Sequence, residues 1–114
     1  MTEMYAQGDL LIERVDDVEP SGTIIAPDTA GALVLAEGEA SGHRHAIFQR
    51  ATMFRDDALA RDIPSELYIG HVKVAGGLAV VQHDEHAPIT LREGTYRVRR
   101  QRELEPKDAA IIAD

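Results

Sequence analysis

The chain has 114 residues, no cysteine and a formal net charge of −8 at pH 7. The acidic balance argues against general binding to nucleic acid or to an anionic membrane, since both favour a positive surface. The missing cysteine excludes disulfides, thiolate metal sites and thiol catalysis. The length fits one domain, residues 1–114. No apolar run approaches a membrane span, and the first residues lack the order of a signal peptide, so we expect a cytoplasmic protein.

The first half of the chain predicts short strands separated by turns. GDLLIERV reads as a strand with Leu10 and Ile12 on one face, and DDVEPSG follows as a turn. TIIAPDTAG predicts a short strand and then a loop. ALVLAEGEASGHRHAIF is a long strand-like stretch that is broken or bulged at Gly38 and Gly42, with a helix possible over residues 32–37.

The second half predicts one helical turn and two hairpins. The turn lies near DDALAR. The first hairpin joins ELYIGHVKV to LAVVQH through residues 75–77, and the second joins APITL to TYRVRRQREL at Glu93 and Gly94. The final segment, DAAIIA, is compatible with one further turn of helix. Seven or eight short strands with frequent Gly and Pro turns predict an all-β fold, a small antiparallel β-barrel or sandwich with at most one or two short helices.

Charge is distributed unevenly along the chain. The first twenty residues carry six acidic side chains against Arg14 alone, whereas YRVRRQR carries four arginines. In the last strand Tyr96 and Val98 share one face, and Arg97 and Arg99 take the other. The opposite charges can pair within one chain or between subunits. We therefore expect a homo-oligomer, most simply a dimer, held in part by these charges.

Four of the five histidines fall in two short stretches. In GHRHAIF, strand alternation places His43 and His45 on one face, where two imidazoles can share one ion. HDEH offers His83 and His86, together with the carboxylates of residues 84 and 85. Imidazole and carboxylate ligands suit Zn, Ni, Mn or Fe. The sequence therefore predicts a divalent-metal site at His43, His45, His83 and His86, with Asp84 or Glu85 as a further ligand; strand-end histidines that only cap backbone groups are the alternative.

The HxH pattern in a β-rich chain resembles the first motif of the cupin family. Four residues separate Gly38 from His43, where cupins have five, and Gln49 stands at the acidic position. The second cupin motif is not met, since Arg97 replaces its histidine. The resemblance implies a cupin-like barrel in which His43 and His45 bind metal, with Gln49 as a possible third ligand.

Two further resemblances concern other parts of the chain. GDLLIERVDDVEPSGTIIAPDTAG is similar to the opening of the ten-kilodalton co-chaperonins, which implies a small β-barrel that assembles into a ring without catalysis. QGDLLIERVD, GEASGHRHAI and EHAPITLREGTYRVRRQRELEP together resemble a small group of bacterial and phage-associated proteins. That resemblance covers nearly the whole chain and implies no particular activity.

Two functions follow as expectations. The first is a small β-barrel protein that binds a divalent metal and, if it is an enzyme, uses the ion to polarise a small substrate or to activate water or oxygen. The second is a non-catalytic, oligomeric assembly or accessory subunit with a protein partner. No GxSxG elbow, phosphate-binding glycine loop or HExxH motif is present in the sequence, so no specific reaction is predicted.

Overall fold

The computed structural model describes residues 3–37, 43–48 and 50–101. These residues form ten β-strands and a three-residue 3-10 turn, Asp57–Leu59, in the region predicted to be helical. The strands are β1 (Met4–Gln7), β2 (Leu10–Arg14), β3 (Thr23–Ile25), β4 (Leu33–Glu37), β5 (Arg44–Ile47), β6 (Ala51–Arg55), β7 (Tyr68–Val74), β8 (Ala79–Gln82), β9 (Ile89–Leu91) and β10 (Gly94–Arg100). The all-β prediction is confirmed. No helix in these ranges is long enough to cross a membrane.

The strands form two antiparallel sheets. The six-stranded sheet has the order β1-β2-β10-β7-β6-β3, and the four-stranded sheet has the order β4-β5-β8-β9. Neither sheet closes into a barrel within the described residues. In the stretch 32–37, for which a helix was possible, residues 33–37 instead form β4. The proposed bulges at Gly38 and Gly42 and the helical turn in DAAIIA lie outside the described residues.

The core lies on the faces that the sequence pattern predicts. Leu10, Ile12, Tyr96 and Val98 are all 0% exposed. Each buried apolar side chain of this size contributes about 1.5–3 kcal/mol to folding. The prediction that Tyr96 and Val98 share one face of the last strand is confirmed, and the structure shows that this face is buried.

Both hairpins predicted in the second half are wrong. β7 pairs with β6 and β10, whereas β8 pairs with β5 and β9. Residues 75–78 and 92–93 are therefore corners that carry the chain from one sheet to the other. Gly76 (φ 81°), Gly77 (φ 143°) and Gly94 (φ 152°) supply the left-handed backbone conformations of these corners. The real hairpins include β1–β2, which turns at Gly8 and Asp9, and β8–β9, whose loop contains HDEH.

Complementary charges meet within one chain. Glu13 is 7% exposed, and its Oε1 accepts a hydrogen bond from Arg97 Nε at 2.8 Å. Arg99 Nε lies 3.5 Å from the same oxygen, and Arg100 forms an ion pair with Asp9. The acidic N-terminal segment and the Arg-rich last strand thus neutralise each other across β2 and β10, so these contacts do not need a second subunit. Oligomerisation itself stays a prediction.

Candidate metal centre

The pairing of β5 with β8 brings the two histidine stretches together. Ala46 opposes Gln82, and Ile47 opposes Val81. This register places the residues just before and within β5 beside the loop that follows β8. One antiparallel strand pair therefore brings together two stretches that lie forty residues apart in the sequence.

The four side chains predicted as ligands form one cluster of rings. The ring centroids of His45 and His83 are 4.4 Å apart, and those of His83 and His86 are 4.7 Å apart. His43 lies 5.7 Å from His83, and His45 lies 6.4 Å from His86 in a stacked orientation. His45 is the most deeply placed of the four, with 2% of its surface exposed. Each imidazole is thus a direct or next neighbour of every other.

The turn between β1 and β2 forms a further wall of the cluster. Gln7 is completely buried, and its Oε1 lies 2.7 Å from His45 Nδ1. Gly8 adopts φ +61°, and a Cβ atom at this position would lie 3.0 Å from His86 Nε2 and 3.5 Å from His45 Cε1. Glycine therefore serves two purposes here, since it permits the left-handed turn and leaves room for two rings.

Two carboxylates border the cluster. Glu85 Oε1 lies 3.4 Å from His43 Nδ1, and Asp9 Oδ1 lies 3.8 Å from His45 Nε2. Of the two acidic candidates in HDEH, Glu85 therefore reaches a histidine. Asp84 instead lines a neighbouring surface pocket.

The environment keeps the central histidines neutral. Burial, followed by repulsion from His83, lowers the pKa of His45 to about 4. Burial, followed by repulsion from His86, also lowers the pKa of His83. At neutral pH both rings are in the uncharged form that can bind a metal through a free nitrogen.

In the described residues, the side chains of the cluster do not form a complete set of metal ligands. In residues 3–37, 43–48 and 50–101, no three His, Asp or Glu side chains are arranged to hold one ion. One reason is local, because the backbone N–H of Glu85 donates to His83 Nδ1 at 3.1 Å. His45 Nδ1 is likewise engaged by Gln7. Rotation of the half-buried rings of His43, His83 and His86 about their side-chain torsions is needed before several nitrogens converge.

A pocket of about 210 Å³ adjoins the cluster. Its lining includes Arg44, Phe48 and Asp84, and His83 belongs to both the pocket and the histidine cluster. Arg44, Ala46 and Phe48, which alternate along the chain and exclude His45, all line this pocket, in agreement with the predicted strand alternation. Among its lining residues, only His83 also belongs to the cluster.

Comparison with known proteins places the chain in a family. The profile of the domain of unknown function DUF8820 matches residues 6–101. The chain belongs to this family. No curated protein and no solved structure matches it. The match begins one residue before Gln7 and ends after β10, so all of the cluster lies inside the DUF8820 domain.

The fifth histidine of the chain lies outside the cluster. His71 is 1% exposed, belongs to β7 in the other sheet, and forms a hydrogen bond of 2.6 Å through Nδ1 with the hydroxyl of Tyr68. Gln49, the residue at the acidic position of the cupin motif, lies outside the described residues. Sequence reasoning missed Gln7, Gly8 and Asp9. Only the glycine before a predicted strand gave any signal, because it marks a turn.

Proposed function

We propose that this DUF8820 domain binds a divalent transition metal through His43, His45, His83 and His86. The observation that carries the proposal is the clustering of four imidazoles from two distant stretches, with His45 buried at its centre. Four histidines that only capped strand ends would have no reason to share one location. Neutral rings are favoured there, and neutral imidazole is the ligand form.

The four histidines would contribute to the site in different ways. His45 is oriented by Gln7, so it would present Nε2 to an ion. His83 would present Nδ1 only if it gave up the hydrogen bond from the Glu85 backbone. His43 and His86 would supply the remaining imidazoles. Glu85, beside His43, is the carboxylate best placed to join them.

The ligand chemistry favours some metals over others. Imidazole binds Zn and Ni well, and Fe and Mn less tightly, following the order of affinities for divalent ions. We therefore expect Zn or Ni to bind more tightly than Fe or Mn. Mg and Ca are poor candidates because they prefer oxygen ligands. If the ion is catalytic, the pocket beside His83 is where it would polarise a small substrate or activate water or oxygen.

The test is metal binding by calorimetry and elemental analysis on metal-stripped protein. Wild-type protein is expected to bind about one Zn or Ni per chain. His45→Gln is expected to weaken binding at least tenfold. His71→Gln is the matched control, because it removes another buried histidine from the other sheet and should leave binding unchanged. Absence of binding by the folded wild type, or an equal effect of the two substitutions, rejects the proposal.

A second proposal concerns assembly. We propose that the protein is cytoplasmic and forms a homo-oligomer. In this assembly, the two sheets of one chain, or sheets of neighbouring subunits, would complete a barrel like that of the cupins or the co-chaperonins. It is supported by β3, a three-residue edge strand on which Ile24 is 63% exposed. Exposed apolar edges favour pairing with another chain. Light scattering of the wild type should give a molar mass that is a multiple of the 12.5 kDa chain mass, and Ile24→Lys should lower this mass. A monomer mass for the wild type at micromolar concentration contradicts the proposal.

A further inference from the structure

Gln7 makes three side-chain hydrogen bonds in a fully buried position. Its amide nitrogen donates to Val81 O at 3.1 Å and to Ala87 O at 2.8 Å. Its amide oxygen lies 2.7 Å from His45 Nδ1. The side chain is 0% exposed, and its hydrogen bonds to Val81 and His45 are buried, whereas the one to Ala87 is part-buried. A buried amide is costly unless its polar atoms are paired, and here both of its ends are.

These partners fix which way the amide points. Val81 and Ala87 offer backbone carbonyl oxygens, which can only accept hydrogen bonds. The opposite orientation would place the amide oxygen against both carbonyl oxygens and leave two donors facing the histidine. The NH₂ group must therefore face the carbonyls, and the oxygen must face His45.

The orientation of the amide determines the tautomer of His45. An amide oxygen is an acceptor, so the hydrogen of the neutral ring must lie on Nδ1. Nε2 is then the nitrogen with the free lone pair. The same nitrogen faces the side of the ring where Asp9 Oδ1 lies at 3.8 Å.

Gln7 also holds the loop that carries two other histidines. Val81 lies at the end of β8, and Ala87 lies just before β9, so the two bonded carbonyls bracket His83 and His86 on both sides. A single side chain from β1 thus contacts His45 and both ends of the HDEH loop. Hydrogen bonds across 74 and 80 residues of sequence tie the three segments together.

We propose that Gln7 is the positioning residue of the histidine cluster. It selects Nε2 of His45 as the metal-binding nitrogen, and it holds the HDEH loop against β5. Its effect on metal affinity rests on the proposed function, whereas its effect on the tautomer does not. Residues that hold the far nitrogen of a ligand histidine in this way commonly change metal affinity about 10–100-fold.

The first experiment reads the tautomer directly in metal-free, wild-type protein. Two-bond proton–nitrogen correlation spectra at neutral pH should show His45 with its hydrogen on Nδ1. A hydrogen on Nε2, or an even mixture of tautomers, overturns the proposal whatever the outcome with metals. This measurement needs no variant and therefore does not depend on whether a substitution at a buried site folds.

The second experiment separates the two effects of Gln7. Gln7→Glu keeps an acceptor for His45, so the Nδ1–H tautomer should persist, whereas an ionised carboxylate cannot donate to the carbonyl oxygens of Val81 and Ala87 and should release the HDEH loop. Gln7→Met removes every hydrogen bond, so both the tautomer preference and the affinity should be lost. Thr95→Val, a polar-to-apolar change at another buried site (7% exposed), should alter neither.

The outcomes distinguish this inference from the metal proposal. Wild type that has the Nδ1–H tautomer but binds no Zn or Ni rejects metal binding, and with it the affinity effect of Gln7, while the tautomer assignment stands. Metal binding that is equally tight in wild type, Gln7→Met and Thr95→Val rejects the positioning role alone.

Discussion

The burial of His45 predicts a loss of stability at mildly acidic pH. Burial lowers the pKa of this side chain to about 4 from its ordinary value of 6.5. The unfolded chain therefore binds a proton at a higher pH than the folded protein does. As pH falls below about 6.5, protonation stabilises the unfolded state, and the effect is complete near pH 4. The contribution is thus fully present above pH 6.5 and lost between these two values.

The magnitude follows from the size of the shift. One pKa unit corresponds to about 1.4 kcal/mol, so the full depression is worth about 3 kcal/mol. Asp9, next to the ring, is 52% exposed, and the nearby water screens part of the effect. We therefore expect a loss of about 1–2 kcal/mol from His45. His71 and His83, whose pKa values are also lowered mainly by burial, change stability in the same direction.

The assay is urea unfolding of metal-free protein at a series of pH values from 7.5 to 4.5. His45→Gln removes the titrating group, so its curve of unfolding free energy against pH should be flatter than that of the wild type by about 1–2 kcal/mol. Asp16 and Asp28 are examples of acidic side chains whose pKa values are lowered in the folded protein. They change stability only below this pH range, because their pKa values in the unfolded chain are near 4. Parallel curves for wild type and His45→Gln between pH 7 and 5 would refute the reasoning.

Three further substitutions test the packing around the site and the sheets. Glu13→Ala removes the buried carboxylate beside Arg97, which keeps its hydrogen bond to the exposed Asp62. The change should therefore cost about 1–3 kcal/mol in urea unfolding; a smaller cost would mean that water replaces the carboxylate. Gly8→Ala introduces a Cβ at positive φ beside His86 and should lower stability by about 1–2 kcal/mol, whereas unchanged thermal unfolding contradicts the tight turn. Gly70→Ala places a Cβ 2.8 Å from the carbonyl oxygen of Phe54 on the neighbouring strand. We therefore expect a lower midpoint of thermal unfolding and a loss of about 1–3 kcal/mol in the free energy of unfolding. A midpoint equal to that of wild type would show that β6 moves freely.

Local pattern determined the strands but not how they pair. Alternation correctly placed Leu10 with Ile12, and Tyr96 with Val98, on shared strand faces, because side chains along a strand alternate with a period of two. The structure shows that both of these faces are buried. The turn residues at 75–77 and 93–94 were equally clear, yet both hairpins were wrong. The same turn residues, including a glycine with positive φ, occur where a chain reverses within one sheet and where it crosses to a second sheet. The choice depends on which distant strand buries the next apolar face, and no short window of sequence contains that information.

The charges illustrate the same limit from another direction. Composition separated an acidic N-terminal segment from an Arg-rich last strand, and the two do meet. The sequence left open whether they meet within one chain or between two. The antiparallel pairing of β2 with β10 decides it for Glu13 and Arg97, which oppose each other directly in the register.

The histidine cluster shows why ligand-type residues are easier to predict than the residues that position them. Histidine is uncommon and chemically specific, so HxH and HxxH identify both stretches without any structure. Gln7 has no such signal, because an isolated glutamine before a turn is ordinary on any protein surface. Its importance arises only when β1 pairs with β2 and the buried amide meets two carbonyls and one imidazole. A buried amide with all of its partners on distant segments is strongly constrained, since losing any one of them leaves an unpaired polar group in the core. Because its partners all lie on distant segments, Gln7 is difficult to identify from sequence. For the same reason, its substitution should strongly alter the cluster.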